Sequence, residues 1–221
     1  MRILLASAAL TEVRWAVDHG LCDGVVIPLA ALGRDRSEEV PELLADICRA
    51  STFPVHVSVS TVTPREMHRE GRALGKIADN LVVQLPLVED AVVAMRKLAT
   101  EGVRVGATLV FSAAQALLAA KAGARTVTIP LDQLDQLGSG ARPVVEQMRA
   151  LFDRGGVECD VVAAFPRSPA EFTECGLAGA DAVTLDLPTL RHFLVHPQTD
   201  RGVDALLREL STRRRPRIAP V

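Results

Sequence analysis

The stretch RVGATLVFSAAQALLAAKAGARTVTIP, residues 104–130, contains a strand, a helix and a second strand in succession. The run 104–109 is typical of a buried strand because small and β-branched apolar residues occupy both of its faces. Ser112 is a favourable first residue for the helical pattern that follows, and Gly123 stands where that helix should end. A second apolar run begins at Thr126, so the stretch predicts two parallel strands joined by a helix.

The same alternation continues along the whole chain. Strands are predicted at 2–6, 24–28, 53–59, 80–85, 104–109, 126–130, 159–164 and 182–187. Helices are predicted at 37–50, 64–74, 89–101, 112–122, 141–154, 169–177 and 200–213. Eight such units without a linker favour an α/β protein with one domain over residues 1–221, a (β/α)8 TIM barrel with an additional C-terminal helix. An open Rossmann-like sheet is the alternative, which the lack of a G-x-G-x-x-G motif after the first strand disfavours.

Composition narrows the classes of partner. The 221 residues are 48% hydrophobic and 24% charged, and a net charge of -2 gives no broad attraction to nucleic acid or to a membrane. A small-molecule substrate or ligand is therefore expected. The four cysteines show no C-x-x-C spacing, so we expect reduced thiols, a cytoplasmic location, and neither a metal site nor a cofactor. The segment 1–8, with one positive charge, a short apolar run and small residues, superficially resembles a signal peptide, but the barrel requires it for its first strand.

Three segments carry a family resemblance: 106–124, which contains the pattern T-x-x-F-S-x-x-Q, together with 163–169 and 196–203. The chain resembles the small transaldolase and fructose-6-phosphate aldolase family over essentially its whole length. The resemblance implies a (β/α)8 barrel that makes or cleaves carbon–carbon bonds of sugar phosphates through a lysine Schiff base at the end of strand 4. It also implies a ring-like homo-oligomer in which the C-terminal helix packs on a neighbouring subunit.

The functional positions that the resemblance assigns are mostly replaced. The family lysine falls on Gln84, the family's acidic residue on Ala6, and its asparagine near 26–29. The aromatic hydroxyl falls near 130–131, the phosphate-binding arginine on Gln133, and the phosphate-binding serine on Phe165. Only Thr108, which would help to hold the catalytic water, and Arg167, at a phosphate position, match the family. Glutamine's amide nitrogen is not nucleophilic, so Gln84 cannot form an imine.

A relocated imine would need another lysine. The chain has three, Lys76, Lys97 and Lys121, and all of them fall in predicted helices or at helix ends. The helices of such a barrel lie outside it, so these amines are expected far from the catalytic face.

The candidate site consists of the polar and aromatic residues that remain near the C-terminal ends of the strands. We predict catalytic roles for His56, Gln84 and Thr108, and substrate contacts for Arg167, Asp186, Ser58, Phe111 and Phe165. His56 is either a general acid or base, or a buried, hydrogen-bonded histidine beside Gln84. Arg167 either contacts an anionic substrate or pairs with Asp186 on the neighbouring strand. An open mouth exposing His56 and Arg167 would favour an enzyme, whereas a plug of Phe111, Phe165 and Leu131 would favour a structural role.

Four other features are weaker candidates. His192 and His196 have a helical metal-ligand spacing but lack an intervening glutamate, and Pro197 is expected to end their helix. The segment 138–140 is interpreted as a loop and helix cap rather than an anion cradle, and Glu89 and Asp90 as helix-dipole partners. The basic tail 213–217 is interpreted as a solvated end of the chain.

Three hypotheses for function therefore remain open. The first is an enzyme with lyase, isomerase or cyclase chemistry that needs no imine and acts on a polar carbonyl or phosphorylated metabolite. The second is a non-catalytic barrel that binds a metabolite or a protein partner. The third is residual aldolase or transaldolase activity.

Overall fold

The computed structural model of the protein describes residues 1–32, 40–136 and 140–213. Eight parallel strands form a closed barrel in which each strand pairs with its neighbours in the sequence and the last strand pairs with the first. The strands are β1 (Arg2–Ala6), β2 (Gly24–Ile27), β3 (Val55–Ser58), β4 (Leu81–Pro86), β5 (Val105–Thr108), β6 (Thr126–Pro130), β7 (Asp160–Ala164) and β8 (Ala182–Leu185). The predicted (β/α)8 barrel is confirmed.

Ten helices occur in the described residues. They are α1 (Leu10–Asp18), α2 (Val40–Ala50), α3 (Pro64–Leu74), α4 (Glu89–Thr100), α5 (Ala113–Lys121), α6 (Leu131–Gln136), α7 (Ala141–Gly155), α8 (Pro169–Leu177), α9 (Leu187–Phe193) and α10 (Pro197–Arg213). A 3₁₀ turn covers Leu29–Leu32. The predicted additional C-terminal helix is α10. The first three residues of the predicted helix 37–50 lie outside the described residues.

Most differences from the predicted elements lie at element ends. β3 is shorter than the predicted strand 53–59, and β8 ends at Leu185 because α9 begins two residues later. α10 begins three residues before its predicted start, since Pro197 suits the first position of a helix. Three short helices, α1, α6 and α9, were not predicted from the sequence.

The chain divides into two compact units. Residues 1–187 contain the barrel, and a second unit begins at Pro188. The prediction of one domain over residues 1–221 stays a prediction. No helix in the described ranges is long and apolar enough to cross a membrane.

The barrel interior is filled by inward-facing side chains from alternate strands. With the stagger typical of such barrels, a shear of about 8, the pairing register places these side chains in successive layers. A middle layer contains Leu4, His56, Gly106 and Val162. The next layer toward the C-terminal ends of the strands contains Val26, Gln84, Thr128 and Thr184. The layer above that one contains Ala6, Ser58, Thr108 and Ala164. The layer of Ser58 and Thr108 therefore borders the mouth where such barrels carry their sites.

Candidate active site

Gln84 lies inside the barrel, one layer below the mouth. Its side chain is 4% exposed, and its Nε2 amide donates a hydrogen bond of 3.4 Å to Nδ1 of His56. The acceptor role of Nδ1 places the imidazole proton on Nε2. A primary amide has two N–H groups and one carbonyl oxygen, so Gln84 retains a donor and the acceptor for other partners.

His56 is held neutral by its surroundings. It is 3% exposed, and burial lowers the pKa of its imidazole to about 4. That value includes a smaller lowering by the Arg2 guanidinium and an opposing rise from the Asp160 carboxylate. Those two side chains form a 2.7 Å ion pair at the N-terminal ends of β1 and β7. The position of His56 matches the buried, hydrogen-bonded alternative rather than an exposed place at the mouth.

The depressed pKa of His56 predicts a loss of stability in mild acid. The unfolded histidine takes up a proton near its ordinary pKa of 6.5, whereas the folded one does so near 4. The free energy of unfolding therefore falls as pH drops through this window, by about 2 kcal/mol between pH 7 and pH 5 from this residue alone. Urea unfolding of the wild type and of His56→Gln at both pH values measures the effect as a difference. An equal loss in the two proteins would contradict it.

Polar side chains flank Gln84 toward the mouth. Ser58 pairs with Gln84 across β3 and β4, and Thr108 pairs with Pro86 at the end of β4. Both hydroxyl residues are half-buried, in contrast to His56 and Gln84. A ligand carbonyl that enters the mouth would meet hydroxyl groups first and the Gln84 amide below them.

Gly106 permits close packing against the residues that it pairs with on the neighbouring strands β4 and β6. A Cβ atom at this position would lie 2.3 Å from Oγ1 of Thr126 and 3.7 Å from Cγ of Gln84. Among the described residues, the buried hydroxyl oxygens of Thr126 and Thr128 have no hydrogen-bond partner. These two threonines were not among the predicted site residues, although their alternation within β6 indicates that they face inward.

Two strained residues mark the rim of the mouth. Leu109 follows β5 with φ of 58°, and Phe165 follows β7 with φ of 60°, a left-handed conformation that bulky side chains rarely adopt. Their side chains are 43% and 45% exposed, so core packing does not offset the strain. Strained residues of this kind cluster at functional sites, and these two occupy equivalent places after odd-numbered strands.

Each of the two loops that contain these residues ends in a helix cap, and the two caps have the same arrangement. Ser112 accepts a hydrogen bond from the backbone of Gln115, and the Gln115 side chain accepts one from the N–H of Phe111 at 2.8 Å. Ser168 and Glu171 repeat this arrangement at the start of α8, with the N–H of Arg167 as donor at 2.6 Å. The F-S-x-x-Q part of the resemblance pattern therefore builds a reciprocal cap that fixes a mouth loop.

The predicted substrate contacts lie around this rim. Arg167 is exposed, Phe111 is half-buried, and Asp186 follows the end of β8 rather than lying within it. The plug of Phe111, Phe165 and Leu131, which would have favoured a structural role, does not form as a unit, since Phe165 is half exposed whereas Leu131 is fully buried. Neither of the two mouths contrasted in the sequence analysis is found, because Arg167 is exposed while His56 is not.

The three lysines are all exposed and lie on no strand of the barrel. Lys97 is on α4, Lys121 is the last residue of α5, and Lys76 precedes β4. The predicted placement of these amines away from the mouth is consistent with the structure.

The remaining candidates contribute no group to the mouth. His192 lies on α9 and His196 lies beyond it, so the two do not share a helical face; Pro197 begins the next helix instead of ending theirs. No group of three metal-ligating side chains occurs in the part of the chain that the structure describes. All four cysteines are buried free thiols, and burial raises the pKa of Cys159 to about 12 and that of Cys175 to about 11. Residues 138–139 and the tail 214–217 lie outside the described residues.

The fold defines a class of protein, a (β/α)8 barrel with its candidate site at the C-terminal mouth. Solved structures share this fold at low sequence identity. A putative phosphonomutase from Burkholderia cenocepacia has a TM-score of 0.63 at 15% identity, with 94% of this chain and 92% of that chain covered. A structure described as native KDPGal has a TM-score of 0.58 at 16% identity, covering 83% of this chain and 81% of that one.

Sequence comparison identifies the family. The model of the transaldolase/fructose-6-phosphate aldolase family matches residues 32–216. A probable transaldolase of Prosthecochloris aestuarii is 35% identical, covering 96% of this chain and 98% of the relative. Another, from Desulfosudis oleivorans, is 33% identical and covers 95% and 97%. The chain therefore belongs to the transaldolase/fructose-6-phosphate aldolase family.

Proposed function

We propose that this chain is an enzyme of the transaldolase family that acts without a lysine Schiff base. The observation that carries the proposal is the placement of Gln84 inside β4, together with the exposure of all three lysines outside the barrel. An imine requires a free primary amine beside the substrate carbonyl, and Gln84 presents an amide there. The enzyme therefore uses hydrogen bonding and acid–base chemistry, of lyase, isomerase or cyclase type.

In this proposal Gln84 polarises the substrate carbonyl. Its second amide N–H donates to the carbonyl oxygen and stabilises the negative charge that develops there when an adjacent bond breaks. His56 accepts the first amide N–H and holds the side chain in one orientation. Thr108 and Ser58 contact the same ligand from the mouth. The acid or base role predicted for His56 stays a prediction.

The substrate in this proposal is a small polar carbonyl compound with an anionic group. Arg167 offers a planar guanidinium at the rim, suited to a phosphate or carboxylate, and its loop is held by the Ser168 and Glu171 cap. Asp186, Phe111 and Phe165 are its proposed neighbours around the ligand.

Reductive trapping tests the absence of an imine. We expect the intact mass of the protein to stay unchanged after incubation with fructose 6-phosphate and sodium borohydride, because no amine faces the mouth. A family member with lysine at the position of Gln84 serves as the positive control. A stable adduct on Lys76, Lys97 or Lys121 would refute the proposal.

A non-catalytic ligand-binding barrel is the second candidate. It is favoured by the burial of His56 and Gln84, whose side chains are 3% and 4% exposed. Thermal unfolding with a panel of sugar phosphates, repeated on His56→Ala, detects binding in either case. Ligand stabilisation without turnover would support this second candidate.

We further propose a homo-oligomer assembled through α10. Every described side chain of this helix is exposed, and Val203, Leu206, Leu207 and Leu210 are spaced so that they form one apolar stripe. A stripe of this kind on a soluble protein is typical of an interface. We expect Leu206→Glu combined with Leu210→Glu to lower the mass measured by light scattering to that of one chain. The control, Arg201→Glu combined with Glu209→Arg, should retain the wild-type mass, and a monomeric wild type would contradict the proposal.

A further inference from the structure

A cavity of about 560 Å³ lies at the N-terminal end of the barrel, opposite the mouth. It is bordered by the ends of α4 and α5 and by the residues that lead into β5, β6 and β7. Its volume is within the range of small-molecule sites in proteins. The proposed function uses no part of it.

The side chains that line this cavity carry an excess of positive charge. Four cations line it, Arg96, Arg104, Lys121 and Arg125, against the single carboxylate of Glu158. Arg125 pairs with Glu158 at 3.2 Å. Among the described residues, Arg96, Arg104 and Lys121 form no ion pair. The cavity is thus net positive in a chain whose overall charge is -2.

Helix capping does not account for these cations. The C-terminal carbonyls of α4 accept hydrogen bonds from the backbone N–H groups of Gly102 and Val103, and those of α5 accept from Gly123 and Ala124. Arg104 belongs to no helix. The helix ends are therefore satisfied without side-chain cations, which leaves the guanidinium and ammonium groups available to a ligand.

A neighbouring cavity provides a contrast. It shares Arg125 and Glu158 with the first, and each of its other charged side chains forms an ion pair: Arg149 with Asp153 and Asp181, and Asp160 with Arg2, which lies outside the cavity. Charges that are neutralised within the protein leave little attraction for a ligand. Only the first of these two cavities combines open volume with unpaired cations.

We propose that the cavity lined by Arg96, Arg104 and Lys121 binds the di- or triphosphate group of an inorganic polyphosphate or a nucleotide. Several cations around one cavity suit a ligand with several negative charges better than a single phosphate. Guanidinium groups form paired hydrogen bonds with phosphate oxygens, and lysine adds a point charge. The site is separate from the proposed carbonyl chemistry at the opposite end of the barrel.

Calorimetric titration with inorganic tripolyphosphate tests the site. We expect one ligand to bind per chain, more tightly than orthophosphate and more weakly as sodium chloride increases. Arg104→Gln and Lys121→Gln should each weaken binding about tenfold, because each removes a charge-assisted contact. Titration with ATP shows which kind of molecule supplies the phosphate groups. Tighter binding of ATP than of tripolyphosphate indicates a nucleotide, and weaker binding of ATP indicates an inorganic polyphosphate.

Lys97→Gln is the matched control. Lys97 is an exposed cation on the same helix as Arg96 but does not line the cavity. This variant should bind tripolyphosphate within about twofold of the wild type, since a charge outside the site is largely screened by salt. Lack of binding by the wild type at low salt would overturn the proposal, and so would equal losses in Lys97→Gln and Lys121→Gln. Unchanged thermal unfolding without ligand verifies that the variants fold.

Discussion

Gln84→Lys is expected to unfold at a lower temperature than the wild type and to show no cleavage of fructose 6-phosphate. The new amine would occupy a side-chain position that is 4% exposed, beside an imidazole held neutral by burial. Burial disfavours the charged ammonium and lowers its pKa, which should reduce the free energy of unfolding by about 4 kcal/mol at neutral pH. Cleavage should stay absent because Ala6 and Phe165 stand where the family resemblance places an acid and a phosphate-binding serine.

Two measurements test separately why Gln84→Lys is less stable and why it does not cleave fructose 6-phosphate. Gln84→Met has a similar length and no charge, so it loses only the hydrogen bond to His56 and should unfold at a higher temperature than Gln84→Lys, which shows how much of the loss is due to the buried amine. A coupled assay for glyceraldehyde 3-phosphate follows cleavage directly. Turnover of fructose 6-phosphate by Gln84→Lys would contradict the idea that the whole site, rather than one residue, has been replaced.

Phe152→Ala is expected to produce the largest loss of stability among single substitutions in the helical layer. Phe152 lies on α7 with no exposed surface, and the guanidinium carbon of Arg149 lies 5.5 Å from its ring centroid. Removing the ring leaves a cavity and ends the cation–π contact, at a cost of about 3–5 kcal/mol. In a domain of this size the melting temperature should fall by roughly 6–20 °C.

Phe165→Ala is the matched control for this substitution. The same side chain is removed, but from a rim position that is 45% exposed and has a positive φ. Little buried surface is lost, so the free energy of unfolding should change by about 1 kcal/mol or less. A loss comparable to that of Phe152→Ala would mean that Phe165 packs as part of the core.

The fold was predictable because its signals are repeated and local. Apolar runs at eight regular positions predicted every strand, and β6 has the predicted ends. α9 was missed because it has only 7 residues and its first residue, Leu187, was assigned to the preceding apolar strand. α1 and α6 were missed because they have only 9 and 6 residues, fewer than the window in which a helical period can be recognised.

The residues of the candidate site were predictable from the sequence, but how far below the mouth each of them lies was not. His56 and Gln84 were predicted near the C-terminal ends of β3 and β4, yet the stagger between strands sets which layer of the interior each side chain reaches. That stagger arises from the closure of all eight strands, which no single segment encodes. The strained backbone at Leu109 also carried no signal, since glycine or asparagine would normally mark such a position.

The closure of the barrel between β1 and β8 has a consequence for synthesis in the cell. Register pairs such as Ile3 with Val183 join the two ends of the barrel unit, so β1 lacks one of its partners until about 180 residues have been made. At usual rates of translation this takes roughly ten to forty seconds. During that interval the nascent chain presents an open strand edge, which is a template for aggregation. Chaperone contact with the early strands would protect this protein when it is most vulnerable.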